Sequence, residues 1–390
     1  MRTIYLDNAA TTPVDPRVLD AMRPFLEQEF GNPSSRHRMG VRALEALDDA
    51  RRHIARVTGA DKERIWFTAG GTEANNLAIL GIARATRSND GETGKHILIG
   101  PTEHAAVRDA AFALEDEGFE IEVMRLDEHG ALDLVDAEQR LREDTILVGQ
   151  MAASNEFGSI YPIRELARLV RAKSPRAVLH CDAVQALGKV DVDLEELGCD
   201  SIAISSHKVH APKGTGALIF ARDIPIRPLF FGGGQEGKVR PGTQNPSGIV
   251  GFGEAVRICD EEFESANRHM HEMRDLFAKG IAEIEGTRVL EPGAPAYEFL
   301  PSVLSVLFPG VPSEVRLHHL DARGVLASAG AACSAGSKDL NPALLALGLN
   351  DDEARSVLRF SFARTTTREE VEEALRIVHE VSRELEALKP

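Results

Sequence analysis

Short runs of consecutive apolar residues alternate along this chain with longer stretches in which apolar residues recur every three or four positions. "RIWFT" precedes "EANNLAILGIARAT", "HILIG" precedes "HAAVRDAAFALEDEG" and "TILVGQMA" precedes "IRELARLVRAK", while "AVLH" and "SIAIS" are further short runs. Such short runs predict strands buried on both faces, and the longer periodic stretches predict helices. Leu44, Leu47, Ile54 and Val57 mark one helical face, with Gly59 placed to end the helix. The alternation predicts an α/β fold in which helices flank a mostly parallel sheet. After about residue 258 the character shifts. "CDEEFESANRHMHEMRDLFAKGIAEI" predicts one long charged helix, "SVLSVLF" and "SVLRFSF" predict strands, and "REEVEEALRIVHEVSRELEAL" predicts a terminal amphipathic helix. These elements make a smaller α+β domain.

Composition narrows the function. The 390 residues are 43% hydrophobic, enough for a sizeable core, and the length suits two or three domains, or one large domain with a smaller companion. The net charge of −16 argues against nucleic acid and against an anionic membrane surface, leaving small molecules or proteins as partners. "MRTIYLDNAATTPVDP" holds no apolar stretch of signal-peptide length, and no run approaches a membrane span. The four cysteines, Cys181, Cys199, Cys259 and Cys333, form no CxxC pair, which predicts a reduced, cytoplasmic setting without a disulfide framework.

Candidate chemistry gathers where the predicted strands stop, the place where open α/β sheets bind ligands. "AGGTEANN" follows "RIWFT". Free N–H groups around Gly71, the helix dipole and the Thr72 hydroxyl make a natural anion site, although an ordinary strand-to-helix turn has the same composition. Asp182 in "VLHCDAVQA" stands at a strand tip, able to cap a helix or to hold a charged ring nitrogen, with Gln185 in reach of the same ligand. "SIAIS" runs straight into "SHK". A lysine pressed into a partly apolar site has a lowered pKa and can bond to a carbonyl, which is the reading for Lys208; Lys213 nearby is expected in solvent. An Asp and a Lys at successive strand ends, beside a phosphate-type site, meet the needs of pyridoxal 5′-phosphate. His104 in "PTEHAAV" can stack on such a ring and move protons, or be a plain surface histidine. Cys333 sits among Ala, Ser and Gly in "LASAGAACSAGSKDLNP", which reads as an accessible, mobile loop carrying a nucleophilic thiolate, or as a plain loop that happens to hold a cysteine. His207 and His210 with His180 and Cys181 fit no common metal-ligand spacing, so no metal is expected.

At these residues the sequence resembles the cysteine desulfurases of the NifS/IscS type, within the class V aminotransferase family. The resemblance covers nearly the whole chain, from "YLDNAATTPVDPRV" and "GNPSSRH" through "TAGGTEANNLAI", "TEHAAV", "HCDAVQALGK", "SSHKVHAPKGTGAL", "GGGQEGKVRPGTQN" and "SAGAACSAGS" to "LRFSFARTTT". It implies the type I fold of pyridoxal-phosphate enzymes, with a large domain over 15–258 and a small α+β domain made of 1–14 and 259–390. Lys208 is then the Schiff-base lysine. Asp182 meets the pyridine nitrogen, Gln185 the ring hydroxyl, and His104 stacks on the ring. Gly71, Thr72, Ser205 and His207 surround the phosphate. Thr243 in "RPGT" reaches the phosphate of the neighbouring subunit, which implies a homodimer with shared active sites. Asn155 and Arg359 bind the substrate carboxylate, Arg359 with two prongs. Cys333 accepts sulfur from L-cysteine as a persulfide, leaving alanine, and passes it to an acceptor protein of iron–sulfur cluster assembly or thiolation. "AACS", "RPGT", "SNE" and "SSHK" depart from the family's "SACT", "RSGT", "NNE" and "SGHK" but remove no catalytic group. The stretch from Cys333 to "LRFS" resembles the longer cysteine loop of this group. A selenocysteine lyase, another β-lyase or a class V aminotransferase would share the cofactor without requiring Cys333.

Overall fold

In the computed structural model, residues 3–89, 94–295, 297–330, 344–345 and 347–387 are described. In chain order the first strands are β1 (Ile4–Tyr5), β2 (Ile65–Thr68), β3 (His96–Ile99), β4 (Glu120–Val123), β5 (Thr145–Gly149), β6 (Val178–Asp182), β7 (Ser201–Ser205) and β8 (Gly216–Phe220). The last seven form one sheet in the order β2-β8-β7-β6-β5-β3-β4, parallel except where β8 runs against β2 and β7. Every residue of β3, β5, β6, β7 and β8 is buried, as expected of strands covered on both faces. The half-buried edge strand β4 alternates Glu with Ile and Val, and Lys95, Arg140 and Arg142 pair with its two glutamates. Charge of this kind protects a free edge from pairing with another chain.

The helix Arg38–Thr58 ends at Gly59, whose φ of 66° is the left-handed conformation that glycine adopts freely. Its buried stripe is Gly40, Ala43, Leu47, Ala50, Ile54 and Thr58. Leu44, expected on that stripe, is instead 43% exposed and lines a surface cleft beside Trp66. The small residues Gly40 and Ala43 hold the inner positions because the helix Pro246–Glu261 packs very close: a Cβ on Gly253 would come within 2.6 Å of the Ala50 Cα.

The long charged helix expected over 259–284 is two helices, Pro246–Glu261 and Phe263–Ile281, with Glu262 between them. Pro246 opens the first of them, and the Asn245 side chain accepts the Gly248 N–H, a strong start that the charge pattern further along does not reveal. The remaining strands are β9 (Arg288–Leu290), β10 (Val303–Leu307), β11 (Val325–Leu326), β12 (Ser328–Ala329) and β13 (Val357–Ser361). An antiparallel sheet in the order β12-β13-β10-β9 packs Phe277, Phe308, Phe360 and Phe362 with the terminal helix Arg368–Ala387. β1 pairs in parallel with β11, so Ile4 and Leu6 enter this C-terminal core. Residues 7–12 are thereby led back across the ends of β6 and β7. Among the described residues no helix is long and apolar enough to cross a membrane.

Candidate active site

The carboxyl ends of the parallel strands open into a cavity of about 420 Å³. Ten of the expected residues line it: Gly71, Thr72, His104, Asn155, Asp182, Gln185, Ser205, His207, Lys208 and Arg359. They come from both halves of the chain, because β12 and β13 bring Ser328, Ala329 and Arg359 to face the tips of β6 and β7. Thr243 does not line this cavity and is exposed. Cys333 lies outside the described residues.

Lys208 follows β7 in a single helical turn, Ser206–Lys208. Its Nζ donates to the carbonyls of Ala9 and Ala10 at 2.6 and 2.8 Å. Burial lowers its pKa to about 8, and the positive charges of Arg359 and Lys189 push the same way against Asp182 and Asp7. Thr11 and Thr12 continue the same N-terminal strap. Thr12 donates twice to the His207 carbonyl, and Thr11 Oγ1 lies 3.2 Å from His207 Nδ1. Burial, with Lys208 and Lys213 nearby, lowers His207 to about 4, so its ring is neutral.

Asp182 is buried at the tip of β6. Its Oδ1 accepts the Val184 N–H at 2.9 Å, and its Oδ2 accepts Asn75 Nδ2 at 2.7 Å. Burial pushes its carboxyl above the usual range; the two hydrogen bonds, His104 and Lys208 pull it back. Glu103, fully buried beside the site, is raised to about 8 by burial and by Asp182, so it is neutral near pH 7 and adds no second negative charge. His104 caps the helix Ala105–Phe112: its Nδ1 accepts the Ala106 N–H at 3.0 Å, which leaves the ring proton on Nε2.

The helix Gly71–Asn89 begins against β7. A Cβ on Gly71 would fall 2.8 Å from Val184 Cγ2 and 3.4 Å from the Ser205 Cβ, so only glycine lets this turn approach so closely. Glu73, an acid in the first turn, is held by Arg240 at 2.8 Å and by the Ala69 N–H that it accepts at 2.7 Å. Ser205 Oγ is buried with no hydrogen-bond partner among the described residues, and so is Gln185 Oε1, whose amide nitrogen donates to the Ala9 carbonyl at 3.0 Å. Such atoms cost free energy unless a ligand satisfies them. Opposite them, Arg359 Nη1 donates to the Asn155 carbonyl at 2.9 Å and approaches Glu156 Oε1 at 3.3 Å, while Nη2 donates to Asp7 Oδ1 at 3.0 Å. Asn155 Nδ2 donates to the same Glu156 oxygen at 2.7 Å.

Several participants escaped the sequence reading: the Ala9 and Ala10 carbonyls, Asp7, Asn75, Glu103 and Glu156. Asn75 and Glu103 were within reach of the pattern, since "EANN" and "TEH" sit beside residues already singled out. The N-terminal strap lies within "YLDNAATTPVDPRV", part of the resemblance, which gives none of its residues a role. The alternative metal cluster does not assemble: His180 bonds Asn75 and Ser201, and His210 Nδ1 meets the Pro13 carbonyl. No group of three or more His, Cys, Asp or Glu among the described residues is arranged to hold an ion.

The family model for aminotransferase class V matches residues 4–374. The chain is 39% identical over 389 residues to the cysteine desulfurase IscS of Dictyoglomus turgidum, covering 100% of this chain and 97% of that protein. It is 41% identical to the cysteine desulfurase IscS of Pectobacterium carotovorum, over 99% of this chain and 94% of that one. A solved NifS-like protein superposes with a TM-score of 0.90 at 35% identity, covering 99% of this chain and all of that one. With its lysine, aspartate and histidine converging on one cavity and full-length similarity to these proteins, the chain belongs to the aminotransferase class V family, among the cysteine desulfurases of the NifS/IscS type.

Proposed function

We propose that this cavity holds pyridoxal 5′-phosphate and removes sulfur from L-cysteine, leaving alanine and a persulfide on Cys333. One observation carries the reading: a cationic amine of lowered pKa, a buried carboxylate, and buried oxygens of Ser205 and Gln185 without a partner among the described residues all line one cavity of about 420 Å³. The residues fit the cofactor. Thr72, Ser205, His207 and the first N–H groups of the helix Gly71–Asn89 would hold the phosphate, Gln185 the ring hydroxyl, Asp182 the ring nitrogen, His104 the ring face and Lys208 the aldehyde. Bound there, the cofactor would supply a ring that draws electrons from the substrate Cα and loosens the bond between Cβ and sulfur.

The chain's own groups do the rest. Arg359 and Asn155 bind the substrate carboxylate, and Asp7 and Glu156 hold the guanidinium in position for it. The Lys208 amine, a base of the right strength near neutral pH, takes the Cα proton, and His104 Nε2–H serves the later proton transfers. The Cys333 thiolate attacks the substrate sulfur. A sulfur–sulfur bond forms as the carbon–sulfur bond breaks, its electron pair stays with carbon, and two protons, one added at Cβ and one returned to Cα, complete alanine. Ala329, which lines the cavity, precedes Cys333 by four residues, a span of at most ~14 Å.

The reading extends to a homodimer that delivers sulfur to an acceptor protein in cluster assembly or thiolation. The exposed Thr243 fits a role toward a neighbouring subunit, as do Phe230 and Phe231, 54% and 92% exposed on the same loop region. The test is Cys333→Ala. It is expected to keep the cofactor's visible band and the shift that L-cysteine causes, but to stop alanine and persulfide formation. Normal turnover in that variant would remove Cys333 from the reaction and favour a lyase.

A further inference from the structure

The lower part of the site contains a buried chain of hydrogen bonds that the reaction outlined above does not use. β6 places His180 and Asp182 two residues apart, on the same face of the sheet. The pairing of β6 with β7 sets Ser201 opposite His180 and the small Ala203 opposite Asp182. The helix Gly71–Asn89 lays Asn75 across both. Ser201 Oγ lies 2.9 Å from His180 Nδ1, His180 Nε2 lies 2.9 Å from Asn75 Oδ1, and Asn75 Nδ2 lies 2.7 Å from Asp182 Oδ2. Exposure of Asn75, His180 and Ser201 is 1% or less, so water does not compete for these bonds.

The chemistry of the four groups admits one proton arrangement when Asp182 is ionised. A carboxylate only accepts hydrogen bonds, so the Asn75 amide must turn its NH₂ toward Asp182. Its carbonyl then faces His180 Nε2 and needs a donor there. Burial lowers the His180 pKa to about 3, so the ring is neutral and carries a single proton, which this geometry assigns to Nε2. Nδ1 is left bare and accepts the Ser201 hydroxyl. A ring with its proton on Nδ1 would let Asn75 turn over and present its carbonyl oxygen to the carboxylate, which repels it. The other titratable groups near Asp182 are Cys181 and Glu103, both kept neutral by burial, and His104 and Lys208, which favour the ionised carboxylate.

We propose that Asn75 and His180 are positioning residues for Asp182: His180, locked as the Nε2–H tautomer by Ser201, fixes the Asn75 amide so that its N–H faces the carboxylate and keeps it ionised against the cofactor's ring nitrogen. The proposal rests on the cofactor assignment above, and its test separates the two. Nitrogen NMR of the holoenzyme with labelled histidine is expected to show His180 protonated at Nε2 and unprotonated at Nδ1, unchanged from about pH 6 to about pH 9. Labelled cofactor then reports on its ring nitrogen in three variants. His180→Gln, whose amide can still donate to Asn75, is expected to keep the wild-type nitrogen signal. His180→Phe and Asn75→Leu are expected to move it toward the unprotonated position and to lower kcat for alanine formation by roughly ten- to a hundredfold, the equivalent of one charge-assisted hydrogen bond, with KM for L-cysteine within about twofold. An Nδ1–H tautomer in the wild-type protein, or an unmoved ring-nitrogen signal in folded Asn75→Leu, overturns the proposal. Wild-type protein that takes up no cofactor overturns the assignment beneath it, while the histidine tautomer can still be read.

Discussion

Lys208 offers the sharpest quantitative consequence of the site. Its pKa is lowered to about 8 by burial first, then by the positive charges of Arg359 and Lys189. Below that pH the group is an ammonium and cannot attack an aldehyde; above it, it is an amine. At pH 7 about a tenth of such a group is neutral, against roughly one part in 2,500 for a lysine of ordinary pKa, an advantage of about two-hundredfold. The measurement is stopped-flow absorbance on mixing apoprotein with pyridoxal 5′-phosphate at a series of pH values, with a simple amine as control for the cofactor's own ionisation. Borohydride trapping and peptide mapping assign the bonded lysine. The rate constant is expected to rise about tenfold per pH unit and to level off near pH 8. Lys189→Met removes one of the depressing charges and is expected to move that break upward. A wild-type profile that climbs undiminished beyond about pH 10, or a break that moves down in Lys189→Met, refutes the reasoning.

Three further outcomes follow from the packing. Gly71→Ala places a Cβ 2.8 Å from Val184 Cγ2, so cofactor affinity measured by titration of the apoprotein is expected to fall at least about tenfold; unchanged affinity contradicts the crowding argument. Glu236 is buried and accepts from Arg51 at 2.7 Å, the Phe67 N–H at 2.9 Å and Gln244 at 3.0 Å, tying the glycine-rich loop before Thr243 to β2. Glu236→Ala is expected to cost roughly 3–5 kcal/mol in urea denaturation, and a loss below about 1 kcal/mol would show that the tie is weak. Phe277, fully buried with ring centroids 4.7 Å from Phe360 and 5.6 Å from Phe362, is expected to lose roughly 3–5 kcal/mol as Phe277→Ala; a variant with wild-type resistance to urea would contradict this account of the C-terminal core.

What the sequence disclosed depended on how local the signal was. Continuous apolar runs such as "SIAIS" gave the central strands, and a polar group just past each run gave Asp182, His104 and Lys208, because a strand tip is defined by its own few residues. β4 was obscured by its glutamates and β8 by following a turn rich in Gly and Pro. Leu44 misled because the helix is packed through Gly40 and Ala43, which carry little apolar signal. The Ala9 and Ala10 carbonyls reach Lys208 across about 200 residues, and the Ser201–His180 pairing exists only through the register of two strands; neither leaves a mark in local pattern. The role of Thr243 came from the resemblance, whereas Cys333 was marked first by its small neighbours in "SAGAACSAGS" and only its part as sulfur acceptor by the resemblance.

The central claim is that sulfur leaves L-cysteine and lands on one thiol. The most direct measurement is a single turnover of the holoenzyme with L-cysteine, quenched with an alkylating agent and analysed by peptide mass spectrometry alongside alanine. The account predicts one added sulfur atom on the peptide bearing Cys333, one alanine formed for each, and no such addition on Cys181, Cys199 or Cys259. Alanine released with Cys333 unmodified, or sulfur found on another cysteine, would contradict it.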